Sequence, residues 1–196
     1  DVEFNEYFGF TDKEVQDILS DYELQDHYNT VKEWYDGYRF GNSEIYCPWD
    51  VLTYCKKLRA DPNAIPENYW LNTSGNNMVR RFIDKADGKT RNDIERLIAG
   101  EEIRKEVHQE LTYSELDSTI ENLWSVLFTT GYLTSRGRAE GEQLRLVIPN
   151  KEIRNLFIRQ IREWFQDTVK KDTPKLDRFC NAFPAGNASL IEDLFN

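Results

Sequence analysis

The chain has 196 residues, 39% of them hydrophobic and 13% aromatic, and a formal charge of −10 from 35 acidic against 25 basic side chains. This length supports one substantial core or two small ones, and the acidic balance argues against the whole molecule sheathing nucleic acid, since phosphate binding runs on neutralisation by Lys and Arg. No run of about 18 apolar residues marks a membrane span and no charged-then-apolar start marks an export signal, while Cys47, Cys55 and Cys180, without CxxC spacing, suit reduced thiols in a cytoplasmic protein.

The only methionine is Met78, so the chain reads as a piece of a longer protein. Thr11 and Glu14 make a TxxE capping box ahead of Val15, Ile18, Leu19 and Tyr22 at helical spacing, which predicts a first amphipathic helix. Thr30 and Glu33 repeat the signature and predict a short helix ended by Asp36-Gly37. The stretch VKEWYDGYRFGNSEIYCPWDV follows, the most particular in the chain. Gly37, Gly41 and Pro48 punctuate its backbone, so it reads as an aromatic corner between two helices, with a turn at Asn42 and a brief extended EIY. Pro48 suits the first turn of a helix carrying Val51, Leu52, Cys55 and Leu58.

DPNAIPEN is a loop, and Asn72, Thr73 or Ser74 can cap a helix burying Met78, Val79, Phe82 and Ile83. Thr90 can cap the next, with Ile94, Leu97 and Ile98, closed by Gly100, and residues 101–113 read as extended or irregular. SELDSTIENLWSVLFTTGYL is helical through Leu123, Trp124, Leu127 and Phe128 up to Gly131. The period then shifts to two: YLTSR and LRLVIP form a hairpin around GRAEGEQ. Asn150 caps a long helix with Ile153, Leu156, Phe157, Ile161, Trp164 and Phe165 on one stripe, and two shorter helices close the chain.

The expected fold is mainly α: a helical, bundle-like lid segment over 1–111 with the aromatic corner, a winged-helix-like subdomain with one β-hairpin over 112–170, and C-terminal helices over 171–196 that lead to a missing domain.

Chemistry is sparse. GxxxxGK[ST] and GxGxxG are both absent, so the chain alone is not expected to hydrolyse ATP. His27 and His108 have no His or Cys within a helical turn, which leaves no zinc spacing, and no serine sits on a nucleophile elbow. No catalytic, metal or cofactor residue is assigned. Basic residues outnumber acids around the hairpin, with Arg136, Arg138, Arg145, Lys151, Arg154, Arg159 and Arg162 against Glu140, Glu142 and Glu152. A basic wing of that kind can lie along a nucleic-acid backbone; the bland alternative is that these cations pair with neighbouring acids or face solvent.

YFGFTDKEV, WYDGYRFGNSEIYCPWDVLTYC, NYWLNTSGNN, ENLWSVLFTTGYL and LVIPNKEIRNLF, in that order and spanning nearly the whole chain, resemble the AAA-ATPase-like proteins of bacteria, many joined to a C-terminal PD-(D/E)XK nuclease-like domain. The resemblance implies a segment between a P-loop ATPase domain, where ATP and Mg would bind, and the nuclease-like domain. No P-loop, Walker B or nuclease residue of the family maps onto this sequence, and Cys47 departs from the Asn that many members carry before the Pro. The resemblance therefore implies a non-catalytic regulatory or interaction segment that packs on the ATPase domain of the same polypeptide and relays its state to the nuclease-like domain or another protein. Trp34, Tyr35, Asp36, Tyr38, Arg39 and Trp49 are the interaction candidates. A nucleic-acid-binding winged helix using Arg136, Arg138, Arg145, Lys151 and Arg154 is the alternative, and a metal-dependent enzyme built on acidic residues is a third.

Overall fold

The computed structural model describes residues 8–41, 43–69, 77–108, 110 and 119–168, with the backbone alone for 77, 78, 81, 120 and 164–168. The Asn72–Ser74 cap, Cys180, the helices expected beyond 170 and the side chains of Met78, Trp164 and Phe165 lie outside these. The chain divides into two compact units, Asp1–Gly75 with Pro149–Ile153, and Asn76–Ile148 with Arg154–Asn196. Among the described residues the architecture is mainly α with two small antiparallel sheets, and no helix is long and apolar enough to cross a membrane.

In the first unit α1 (Asp12–Asp21) begins at the predicted capping box: the Thr11 hydroxyl accepts from the Glu14 amide, and the Glu14 carboxylate accepts from the Thr11 amide at 2.8 Å. The same signature at Thr30 does not start a helix. A 3₁₀ turn (Gln25–His27) feeds directly into α2 (Tyr28–Tyr35), so Thr30 lies inside its first turn and the preceding His27 makes no side-chain cap. Asp36 ends α2 in extended geometry, and Gly37 follows at φ +98°, a left-handed conformation that glycine takes without a steric cost.

β1 (Tyr38–Phe40) and β2 (Ser43–Ile45) then form an antiparallel hairpin that the sequence reading reduced to a brief extended stretch; Arg39 stands directly opposite Glu44. A bridge between Phe10 and Tyr46 ties the chain ahead of α1 to the end of this hairpin. α3 (Pro48–Ala60) starts with Pro48 in its first turn, as expected. Its inward residues Val51, Tyr54, Cys55 and Leu58 join Val15, Leu19, Val31, Tyr35, Tyr46 and Tyr69 in one core, while Leu52 faces solvent.

The second unit holds α4 (Asn77–Lys85), α5 (Gly88–Ile98), α6 (Ile120–Thr129), most of α7 (Lys151–Thr168) and one three-stranded sheet. The cap of α5 is Asp87, whose carboxylate accepts from the Thr90 amide at 2.8 Å; Thr90 is the third helical residue, not the cap. Gly100 at φ +88° closes that helix as predicted. The hairpin of β4 (Thr134–Arg138) and β5 (Gln143–Val147) forms where the period changes to two, with an irregular register between Ser135 and Arg138. Within the stretch read as extended or irregular, β3 (Ile103–Glu106) is a strand that pairs with β5 on its other edge, giving the order β3-β5-β4. The core is aliphatic and aromatic: Val79, Phe82, Leu97, Leu123, Trp124, Leu127, Leu146, Leu156 and Phe157 are all fully buried, and Phe82 meets Trp124 edge-on at 4.5 Å.

Candidate functional site

The aromatic corner of the first unit is built on Gly37. A Cβ at that position would land on the Pro149 carbonyl oxygen, so the end of α2 and the segment Pro149–Ile153 approach as closely as two backbones can. Around this contact, Tyr35 is fully buried, and its hydroxyl donates to the Glu67 carbonyl at 3.0 Å and accepts from the Glu67 amide at 3.2 Å. Tyr54 donates to the Ala64 carbonyl at 3.1 Å. Two core tyrosines thus serve as internal ties for the irregular 61–68 loop, pairing the Ala64 carbonyl and both backbone groups of Glu67.

On the other side of the corner Asp12 is a hub. Its Oδ1 accepts from the Tyr46 hydroxyl at 2.6 Å, the Tyr28 hydroxyl at 2.8 Å and the Lys32 ammonium at 3.2 Å, and its Oδ2 accepts from Gln16 at 2.6 Å. Partial burial acts to raise the carboxyl, but the bonds from Tyr46, Tyr28, Lys32 and Gln16 together outweigh it and hold it at about 2. No sequence signal marked Asp12 beyond its place in the first turn of a helix.

Three further acids are hidden. Asp36 is buried beside Lys32 at 3.9 Å; burial raises its carboxyl, partly offset by the Gly37 amide and by Lys32. Asp50, in the first turn of α3, is 1% exposed, and Glu152, in the first turn of α7, is 0% exposed. Glu152, counted in the sequence among the acids around the basic hairpin, lies in the interior of the first unit. The Asp50 carboxyl engages in side-chain hydrogen bonds with the Cys47 thiol and the Glu152 carboxyl, and burial raises its pKa more than these bonds lower it. Burial, with the charge of Asp50 and the bond to it, pushes the Cys47 thiol up to about 12, far from the range of a reactive thiolate. Cys55 is likewise a buried, unreactive thiol.

The six interaction candidates therefore separate. Tyr35 and Asp36 are interior. Trp34 is half-buried against the core, with the Lys151 ammonium over its ring at 5.3 Å. Tyr38 is half-buried, with burial raising its hydroxyl well above the usual range. Arg39 lies at the exposed hairpin, its Nε donating to the Gly41 carbonyl at 3.3 Å. Trp49 alone presents a large apolar surface, being 60% exposed at the start of α3, and Leu52 lies one turn on. Other exposed aromatics are Tyr22, read with the apolar spacing of α1 but open to solvent beneath Arg59, and Phe8, 61% exposed, and Phe40, which stack at 4.8 Å with an interplanar angle of 10°. The hairpin carrying Phe40 is what exposes it, and that hairpin was not foreseen.

The five nucleic-acid candidates also separate. In the first unit Lys151 is held by Glu33 at 2.9 Å as well as by the Trp34 ring. In the second, Arg154 donates to the Ile98 carbonyl at 2.6 Å, and Arg145 donates to the Arg136 carbonyl at 2.7 Å and stands 3.9 Å from Glu102. Arg136 and Arg138 remain on the exposed face of β4. Among the described residues no group of three or more His, Cys, Asp or Glu could hold a metal ion. Two open grooves of about 410 and 420 Å³, one lined by Gln16, Ser20 and Tyr28 and the other by Lys57, Asn63 and Ile65, carry no nucleophile beside a base. No family model matches the chain, and neither a curated protein nor a solved structure matches it.

Proposed function

We propose that the chain is a non-catalytic interaction segment of an AAA-ATPase-like protein, with the aromatic corner as a rigid platform and Trp49 and Leu52 as its docking residues. The observation that carries this reading is the contrast in the corner between used and unused groups. Its polar side chains are committed inward, to the 61–68 loop, to Asp12 and to each other, whereas large apolar side chains that a folded chain ordinarily hides face outward. Aromatic anchors held on a well-packed support suit recognition of another folded domain, and the resemblance supplies its nature, an ATP-binding domain of the same polypeptide.

The test is ATP turnover of the parent polypeptide carrying Trp49→Asp together with Leu52→Asp, both exposed positions that leave the core intact. A docking platform that relays nucleotide state predicts a change of about fivefold or more, the lower end of ordinary coupling between sites. Unchanged turnover would overturn the reading.

A second reading, a winged-helix nucleic-acid-binding module, is favoured by one observation: the helix-strand-helix-hairpin-helix sequence with strand order β3-β5-β4 and outward-facing Arg136 and Arg138 on the hairpin. Three of the five basic candidates already have internal partners, which leaves few cations for a phosphate backbone. A salt-dependent shift of duplex DNA that disappears in Arg136→Ala with Arg138→Ala would revive it.

A further inference from the structure

We propose that the partner docking on Trp49 and Leu52 presents carboxylates to Lys56 and Arg59, so that the outward face of α3 meets an apolar recess and an acidic patch on one folded domain. This rests on the reading of Trp49 and Leu52 as docking residues and adds the chemistry of what they meet.

Residues 49, 52, 56 and 59 follow one another at steps of three and four, which places them along a single face of α3. All four are exposed, while the opposite face supplies Val51, Tyr54, Cys55 and Leu58 to the core. The outward face is divided, apolar in its first half and cationic in its second. At a rise of about 1.5 Å per residue, Lys56 stands about 10 Å along the axis from Trp49, and Arg59 about 15 Å.

Neither cation is neutralised within the unit. Lys13 pairs with Asp17 at 2.6 Å, Lys32 with Asp12 at 3.2 Å, Lys57 with Glu67 at 2.6 Å and Lys151 with Glu33 at 2.9 Å. Lys56 and Arg59 form no such pair with a described acid, and Asp61, two residues after Arg59, accepts instead from the Asn63 amide at 2.9 Å. Arg59 lies over the exposed Tyr22 ring at 5.1 Å. That contact restrains the guanidinium while leaving N–H groups available, and their planar fork matches a carboxylate. The negative end of a helix favours cations by itself, but Lys57 in the same last turn already meets that demand. On a chain of formal charge −10, cations beside the apolar anchors are what lets an acidic surface approach this face without repulsion. A nucleic-acid backbone fits less well, because its binding draws on many neutralised phosphates and this face offers two cations.

The test is zero-length carbodiimide coupling of the parent polypeptide, which joins a lysine amine to a carboxyl where the two already touch, read by peptide mass spectrometry. Lys57 with Glu67 is the built-in positive control. Lys56 should couple to an Asp or Glu of the ATP-binding domain, and that product should disappear in Trp49→Asp with Leu52→Asp. Coupling of Lys56 only within these 196 residues, or none while Lys57 couples to Glu67, would overturn the proposal. Lys56→Gln with Arg59→Gln should change ATP turnover in the same direction as the apolar variant, by about twofold or more at low salt. That change should shrink toward none at about 0.5 M salt. If the apolar variant alters turnover and the cation variant does not, the docking face stands and its acidic partner is lost. If neither alters turnover while Lys56 couples to the ATP-binding domain, the relay fails and the acidic contact stands. Binding of a single-stranded oligonucleotide by the unmodified chain that disappears in Lys56→Gln with Arg59→Gln would overturn the proposal in favour of phosphate.

Discussion

In the first unit Tyr35, Tyr46, Tyr54 and Tyr69 occupy the core and a buried acid, Asp50, lies beside another acid; in the second, the core is mostly Leu, Ile, Val, Phe and Trp, with Tyr132 edge-on to Phe157, and the buried acid Asp93 faces a cation, Lys105, at 2.7 Å. The difference is one of what holds each region. Apolar burial in the second unit is insensitive to pH and additive in area. Phenol and carboxyl bonds in the first organise irregular backbone that apolar packing cannot fix, and they make that unit's integrity depend on proton occupancy. The corner gains directional support from such bonds, because each bond constrains an angle as well as a distance.

Four experiments break or sharpen that contrast. The largest effect belongs to Trp124→Ala, which empties a fully buried site against Phe82 and removes the ring under Lys105; a loss of about 3–5 kcal/mol in denaturant unfolding is expected, with little dependence on pH. Next comes Gly37→Ala. A non-glycine residue held at φ +98° costs roughly 1–3 kcal/mol in backbone strain alone. The new methyl must also push back the Pro149 carbonyl, so residues 150–153 should exchange amide protons faster while α6 is unaffected.

Tyr46→Phe removes one of four donors to Asp12, and because that carboxylate is partly open to solvent the expected cost is about 1 kcal/mol at neutral pH. A carboxyl held at about 2 contributes stability that is present above the ordinary carboxylate range and lost as pH falls toward 2. The variant should therefore lose less on acidification, and the two stability curves should converge between about pH 4 and about pH 2. The smallest effect is Arg136→Ala with Arg138→Ala, expected within about 0.5 kcal/mol of the unmodified chain by thermal unfolding, since both side chains lie on the exposed face of β4.

Local signals were legible where the chain neighbours itself. The Thr11 box, Pro48, Gly100, Asn150 and the change of period at the β4–β5 hairpin act over a few residues, and each appears as read. Thr30 failed as a cap because the turn before it, Gln25–His27, already delivers helical backbone at Tyr28. Thr90 failed because Asp87, three residues earlier, offered a better acceptor. The β1–β2 hairpin carried a signal in Gly41-Asn42 between extended flanks that could have found it. β3 carried none, since its partner β5 lies far along the chain. For the same reason the site was the least legible part: Asp50 and Glu152 are each unremarkable first-turn acids until folding buries both.

The close approach of Gly37 to Pro149 also sets an order of events during synthesis. A ribosome that has delivered α1, α2, β1, β2 and α3 has not yet delivered the residues that seat against Gly37 and Asp50. The first unit must wait for most of the chain to emerge, and the loop that closes then is long, which slows closure through its entropy. Residues 8–69 released early would therefore expose the unfilled face of the corner, whereas delivery of Pro149–Ile153 supplies the segment that fills it.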